Sequence, residues 1–122
     1  MKVYLAARFT RRAEMETIAD ILKTKGLQIT ARWVYGGEDG LHREDIAILD
    51  LEDVDACDIV VSFTEPYGSL NKGGGRHFEA GYGLAKGKRL VIIGDRENVF
   101  HHHPETRVYP DLDKWLHAIC RE

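Results

Sequence analysis

Apolar and polar residues follow one another along the chain in blocks that predict strands and helices in turn. Short apolar blocks predict strands at 2–6, 27–33, 58–63 and 89–94, with a short edge strand at 106–109. Apolar residues three or four positions apart predict helices at 11–25, 41–55, 75–86 and 110–120. The uninterrupted apolar blocks at 58–63 and 89–94 are typical of strands buried on both faces of a parallel sheet.

The alternation of strands and helices predicts an α/β fold with three layers. We expect a mostly parallel sheet of four to five strands with helices on both faces, as in flavodoxin-like and Rossmann-like proteins. Neither an internal repeat nor a linker interrupts the pattern, so residues 1–122 are expected to form a single domain. In such sheets ligands bind beyond the carboxyl ends of the strands, which places the functional loops after residues 6, 33, 63 and 94.

Composition narrows the partners that can be expected. The net charge is −3 and no basic stripe is present, so nucleic acid is not an expected partner. The longest apolar run has about five residues, against roughly 20 for a membrane span, and the N-terminus lacks the pattern of a signal peptide. Cys57 and Cys120 have neither metal-ligand spacing nor a disulfide framework, which predicts free thiols. We therefore expect a cytoplasmic protein with no membrane contact.

Two of the predicted loops combine positive charge with glycine. Arg8, Arg11 and Arg12 follow the first strand, and Lys72 with Gly73–Gly75 precedes the third helix. Helix N-termini favour anions, and glycine lets the backbone approach a ligand closely, so a phosphate or a sugar hydroxyl would fit. The alternative is that the glycines only form a turn and the arginines are solvated. A Walker loop is excluded because the Lys-Ser/Thr pair is missing.

Carboxylates supply the candidate chemistry. Glu79 lies about one turn into a helix that is otherwise small and apolar, and the pattern leaves open whether it faces a ligand or solvent. The helical position of Asp50 likewise does not decide which way its side chain points. Glu52, Asp53 and Asp55 are expected to form a solvated helix face.

The run His101–His103 suggests a metal site at first sight, but consecutive side chains do not normally converge on one ion, and zinc requires three or four ligands. Ser62 and Ser69 do not lie in the context of a nucleophile elbow. We therefore expect neither a metal nor a cofactor.

The segment "GGGRHFEAGYGLAKGKRLVIIG" resembles the nucleoside 2-deoxyribosyltransferase family and its nucleotide N-glycosidase relatives, and the resemblance extends over roughly residues 2–100. It implies that Glu79 is the nucleophile. In "VYLAARFT", Tyr4 stands where the family has the tyrosine that orients the nucleophile. In "LDLEDVDACDIVV", Asp50 matches the acid that contacts the base and assists its departure. Asn98 in "RENVF" matches an asparagine that reaches a neighbouring subunit's site, which implies a homodimer or higher symmetric oligomer.

One departure from the family bears on the substrate. Six residues before the nucleophile, transferases acting on free nucleosides have an Asp that contacts the sugar, and the monophosphate hydrolases have a Ser that helps hold phosphate. Gly73 occupies that position here. Because Arg8, Lys72, Arg76 and the amides of Gly73–Gly75 are all compatible with negative charge, a 5′-phosphorylated substrate is slightly favoured.

The resemblance implies cleavage or transfer of the N-glycosidic bond of a (deoxy)nucleoside or its 5′-monophosphate through a covalent glycosyl-glutamate. Phe9, Trp33 and Tyr67 are candidates to stack on the base, although Trp33 could simply be a core residue. Two other interpretations stay open: a non-catalytic nucleotide-binding or sensor domain, and an NAD glycohydrolase. The sequence also leaves open the preferred base, the choice between ribose and deoxyribose, and whether water or a second base is the acceptor.

Overall fold

The computed structural model describes residues 1–70 and 73–120. This part of the chain has five strands and four α-helices, which alternate except that a 3-10 turn and not an α-helix joins the fourth strand to the fifth. The strands are β1 (Lys2–Ala6), β2 (Gln28–Ile29), β3 (Ile59–Phe63), β4 (Arg89–Ile93) and β5 (Thr106–Tyr109). The helices are α1 (Arg12–Thr24), α2 (Arg43–Ala56), α3 (Gly75–Ala85) and α4 (Leu112–Ile119). Within residues 1–70 and 73–120, no helix is both long and apolar enough to cross a membrane.

All five strands are parallel and lie in the order β2-β1-β3-β4-β5. The chain runs outward from β1 to β2 on one side and from β3 to β5 on the other. The direction of winding therefore changes between β1 and β3, and a crevice is expected beyond the carboxyl ends of these two strands. The predicted three-layer α/β fold with a parallel sheet is confirmed.

The core lies between the sheet and the helices. Every residue of β3 is buried, as the uninterrupted apolar block predicted. Helix α3 packs on β3 and β4 and also against α2. Right-handed crossovers place α1 on the opposite face from α2 and α3. Gly83 permits the closest approach of α3 to the sheet, because a Cβ atom at this position would lie 2.6 Å from Val60 Cγ2.

The predicted strand at 27–33 is wrong in its extent. Only Gln28 and Ile29 pair with β1, and Arg32–Tyr35 form a 3-10 turn. Side-chain hydrogen bonds replace the strand ladder there: Trp33 Nε1 donates to the Leu5 carbonyl oxygen at 2.9 Å, and the Arg32 amide donates to Asp53 Oδ2 at 2.9 Å. Hydrophobic patterning alone does not reveal such bonds.

Candidate active site

A cavity of about 800 Å³ opens at the carboxyl edge of the sheet, where the change in winding direction predicts a ligand site. Its walls come from the loops that follow β1 and β2, from one face of α2 and from the start of α3. The volume is within the range common for small-molecule sites. The lining includes Glu79 and Asp50 together with the predicted binding residues Arg8, Phe9, Trp33, Gly73, Gly74, Gly75 and Arg76.

Glu79 lines this cavity and is held in place by Tyr4. Strand β1 carries Tyr4, which is fully buried, and its hydroxyl donates a hydrogen bond to Glu79 Oε2. Burial raises the pKa of Glu79 to about 8, although the bond from Tyr4 acts in the opposite direction; the negative charge of Asp50 adds to the rise. Burial and the charge of Glu79 also raise the pKa of Tyr4, which keeps the hydroxyl protonated as a donor.

Asp50 lies on the cavity face of α2, beside a second acid that the sequence patterns did not single out. This acid is Glu38, which is only 8% exposed and lines the same cavity. Burial, together with its interaction with Asp50, raises the pKa of Glu38 to about 8. Glu38 Oε2 and Asp50 Oδ1 are buried and have no hydrogen-bond partner within residues 1–70 and 73–120. The only sequence signal for Glu38 is its place in the glycine-rich loop "VYGGEDG" after β2.

The expected solvated face of α2 is wrong for Asp53. Asp53 is buried, whereas Glu52 and Asp55 are exposed. Its two carboxylate oxygens accept from the Arg32 backbone amide and from Arg32 Nε, each at 2.9 Å. Asp53 thereby fastens the loop after β2 to α2, and this loop carries Trp33 and Glu38 into the cavity wall.

Of the three predicted stacking residues, two line the cavity. Phe9 is 67% exposed at the rim, and its ring centroid lies 6.3 Å from that of Trp33. Trp33 is buried and hydrogen-bonded to the backbone, so its indole is held rigidly in the wall. Tyr67 is 94% exposed and lies outside the lining. Of these three, Phe9 is therefore the one whose ring is free to cover a planar base, and Phe78, which the sequence patterns did not single out, is a second exposed aromatic side chain in the lining.

The part of the cavity wall that the start of α3 forms is suited to an anion. Helix α3 begins there, with Gly74 as the residue before its first turn, and its N-terminus carries partial positive charge. Gly73 has φ of +73°, a conformation that side chains other than glycine rarely adopt. An Asp or Ser, which the resemblance would put at this position, would be strained in this conformation. Lys72, also predicted to favour an anion, lies outside the described residues.

Arginines beside the cavity are held by acids. Arg8 Nη1 lies 3.3 Å from Glu65 Oε1 and is partly exposed, so its guanidinium is accessible from the cavity. Arg11 and Arg12 pair with Glu65 and Asp39 respectively, at 2.9 and 2.8 Å.

Arg76 is the most deeply buried cation in this part of the wall, with a side chain only 1% exposed. It forms an ion pair with Glu97 through both terminal nitrogens. Burial alone would raise the pKa of Glu97, but the bond from Arg76 holds it below its usual value. The pair therefore ties the start of α3 to the loop after β4. Arg76 still lines the cavity, so its predicted role at the substrate stays a prediction.

Asn98 does not line the cavity. Its side chain caps the 3-10 turn at Val99–His102 by accepting from the Phe100 amide at 2.9 Å. The implied contact with a neighbouring subunit's site stays a prediction. His101, from the histidine run, is buried and accepts from the Glu97 amide through Nδ1. Across residues 1–70 and 73–120, no three His, Cys, Asp or Glu side chains are grouped as ligands for one metal ion.

Comparison with known proteins finds the same fold in two enzymes. The Clostridium botulinum CMP N-glycosidase BcmB is 19% identical with a TM-score of 0.69, over 100% of this chain and 100% of that chain. The 2-deoxyribosyltransferase from Leishmania mexicana is 17% identical with a TM-score of 0.74, over 99% of this chain and 97% of that chain. No protein-family model and no curated protein matches the chain. At these identities the likeness shows the fold, and the resemblance inferred from the motifs is confirmed at that level.

Proposed function

We propose that this protein breaks or transfers the N-glycosidic bond of a nucleoside or nucleoside 5′-monophosphate, with Glu79 as the nucleophile. The observation that carries the proposal is the position of Glu79. Its carboxylate lies in a cavity large enough for a nucleotide and is oriented by the hydroxyl of Tyr4. A non-catalytic binding domain would not need a desolvated carboxylate there. The two enzymes that share the fold are by name a CMP N-glycosidase and a 2-deoxyribosyltransferase, which is in keeping with this chemistry.

In the proposed mechanism the ionised form of Glu79, which the hydrogen bond from Tyr4 favours and which predominates above a pKa of about 8, attacks C1′ of the sugar as the bond to the base breaks. The transition state resembles an oxocarbenium ion, so the negative charge of Glu79 stabilises it before the covalent bond is complete. Asp50 assists the departure of the base by supplying a proton. Water, or a second base, then attacks C1′ and releases Glu79, which makes the protein a hydrolase or a transferase respectively.

A 5′-monophosphate is our preferred substrate. Two features of the lining support a bound phosphate: the start of α3, whose N-terminus carries partial positive charge, and the guanidinium of Arg8, which stays partly exposed beside Glu65. The charge of Arg76 is balanced by Glu97, so Arg76 is a weaker candidate. Phe9 and Trp33 lie on the wall beyond the sheet edge, where they can cover a base. We also propose a homodimer or higher symmetric oligomer, in which Asn98 approaches a neighbouring site.

Chromatography after incubation with nucleosides and their 5′-monophosphates, with and without an acceptor base, tests the proposal. NAD is included to detect an NAD glycohydrolase. The wild type should release free base, and Glu79→Gln should release none while keeping its circular dichroism spectrum. Release of base by Glu79→Gln at the wild-type rate would exclude Glu79 as the nucleophile.

A further inference from the structure

We infer that Glu38 and Asp50 form a carboxyl pair that shares one proton, and that this pair, rather than Asp50 alone, protonates the departing base. The inference rests on the proposed function, because it assigns the source of the proton that the reaction requires. Glu38 is the added residue: it acts through Asp50, which makes it a positioning residue.

The unpaired oxygens of the two side chains carry the argument. Glu38 is more than nine-tenths buried, lines the cavity and leaves Oε2 without a donor; Asp50 Oδ1 is buried without a donor as well. Neither oxygen has a hydrogen-bond partner among residues 1–70 and 73–120. Buried carboxylate oxygens that lack a donor are costly. The side chains of Glu38 and Asp50 interact directly, and two neighbouring carboxylates repel each other when both are ionised. A single proton between them removes both costs.

The surrounding charges favour retention of that proton. Two further acids act on the pair from neighbouring positions: Asp53 from α2 and Glu79 from α3. The basic groups nearby are already paired: Arg32 with Asp53, Arg12 with Asp39 and Arg8 with Glu65. The cavity wall here is therefore acidic, and the raised pKa of Glu38 agrees with a proton that is kept at neutral pH.

The proton balance of the reaction follows directly. In the first step the C1′–N bond breaks, a bond forms between C1′ and the Glu79 carboxylate, and the shared proton passes through Asp50 to the base nitrogen. In the second step water attacks C1′, the bond to Glu79 breaks, and a proton of the water returns to the pair. The pair thus begins and ends the cycle with one proton, and no other reactant is required.

The kinetic test compares Glu38→Gln with Glu44→Gln, a matched change at an exposed residue in the first turn of α2. We expect Glu38→Gln to lower kcat at pH 7.5 at least tenfold with natural bases, and to move the basic limb of the pH profile down by about one unit or more. With a 4-nitrophenyl glycoside 5′-phosphate, whose leaving group needs no proton, the same variant should keep the wild-type rate. An unchanged pH profile, or an equal loss on both substrates, would overturn the inference.

A second measurement does not depend on activity. Carboxyl ¹³C NMR of the Glu79→Gln protein should show Glu38 retaining a proton at pH 7, and Asp50→Asn in that background should change the titration of Glu38. If Glu38 titrates like an exposed glutamate, the inference is wrong whatever the enzyme does. If the wild type releases no base from any substrate while the NMR shows the shared proton, the proposed function fails and the carboxyl pair stands.

Discussion

The Tyr4 hydroxyl donates its hydrogen bond to Glu79 Oε2 across two elements that are 75 residues apart in sequence. Tyr4 is on β1 and Glu79 on α3, so the bond exists only once the sheet and the helix have assembled. A phenol that is buried and cannot ionise holds the carboxylate in one orientation and stabilises its charged form. Two consequences can be measured.

Removal of the hydroxyl should weaken Glu79 as a nucleophile. In Tyr4→Phe the carboxylate loses the bond that favours ionisation, so the pKa of Glu79 should rise above its value of about 8. We expect kcat to fall about 10- to 100-fold and the acidic limb of the pH profile to move to higher pH. Tyr82→Phe is the control, because the Tyr82 hydroxyl of α3 donates to the exposed Asp55 of α2, and neither residue lines the cavity. An acidic limb that stays in place in Tyr4→Phe would contradict this role.

Stability should depend on pH through the same carboxylate. The pKa of Glu79 rises from 4.5 to about 8 on folding, so the native state holds this proton more tightly than the unfolded chain. Its contribution to stability is complete below pH 4.5 and is lost as pH rises towards 8. Glu79→Gln, which cannot ionise, should exceed the wild type in free energy of unfolding by about 1–3 kcal/mol at pH 8.5.

Denaturant titrations of both proteins from pH 4.5 to 8.5 measure this difference. The gap between variant and wild type should widen steadily with pH. Glu44→Gln, at an exposed position, should run parallel to the wild type throughout. A gap that stays constant, or that narrows as pH rises, would show that Glu79 is not desolvated in the native state.

The sequence predicted the fold well where burial determines structure. Strands β3 and β4 are buried where their apolar blocks predicted burial. In α1 the apolar residues spaced three or four positions apart, Met15, Ile18 and Leu22, form the face that packs into the core. The prediction failed after Ile29, where hydrogen bonds from Trp33 and Arg32 determine the chain path. Those bonds join residues 21 and 28 positions apart, and no local pattern contains them.

The candidate site was predictable only in part for the same reason. Glu79 could be found through its motif, but its link to Tyr4 came from resemblance and not from the pattern. Glu38 and Asp53 were missed or misplaced because an acid in a loop or on a helix is normally solvated. Their burial depends on how α2 packs against the loop after β2, which only the folded chain reveals.

The preference for a 5′-phosphate should depend on Arg8. Its guanidinium is partly exposed, lines the same cavity as the start of α3 and lies 3.3 Å from Glu65. Charge-assisted hydrogen bonds contribute about 1.5–3 kcal/mol, so Arg8→Met should raise KM for a monophosphate about tenfold or more. KM for the matching nucleoside should change less than about twofold, because that substrate has no phosphate for Arg8 to contact.

Arg89→Met is the control for Arg8, because Arg89 is exposed at the amino end of β4, opposite the cavity. Steady-state kinetics with the nucleotide and nucleoside pair give both values. Equal increases in KM for the two substrates would mean that Arg8 acts by holding Glu65 and the loop after β3. The site would then lack the phosphate contact that we assign to it.

The close packing of α3 against the sheet should make Gly83 sensitive to a single methyl group. A Cβ at Gly83 would lie 2.6 Å from Val60 Cγ2 and 3.5 Å from Val54 Cγ1, both in the core. Since Val60 is fully buried, relief of the clash would have to move α3, and with it Glu79. Overpacking of this kind costs typically about 1–3 kcal/mol, so Gly83→Ala should lower the melting temperature by several degrees and reduce kcat.

Gly81 in the same helix provides the matched control. Nothing lies within 4 Å of a Cβ placed there, and the residue is exposed. Alanine at an open helical position is favoured over glycine by about 0.5–1 kcal/mol, so Gly81→Ala should raise the melting temperature. Thermal unfolding of the two variants side by side separates helix propensity from packing. If Gly83→Ala were as stable and as active as Gly81→Ala, the distance between α3 and β3 could not be what positions Glu79.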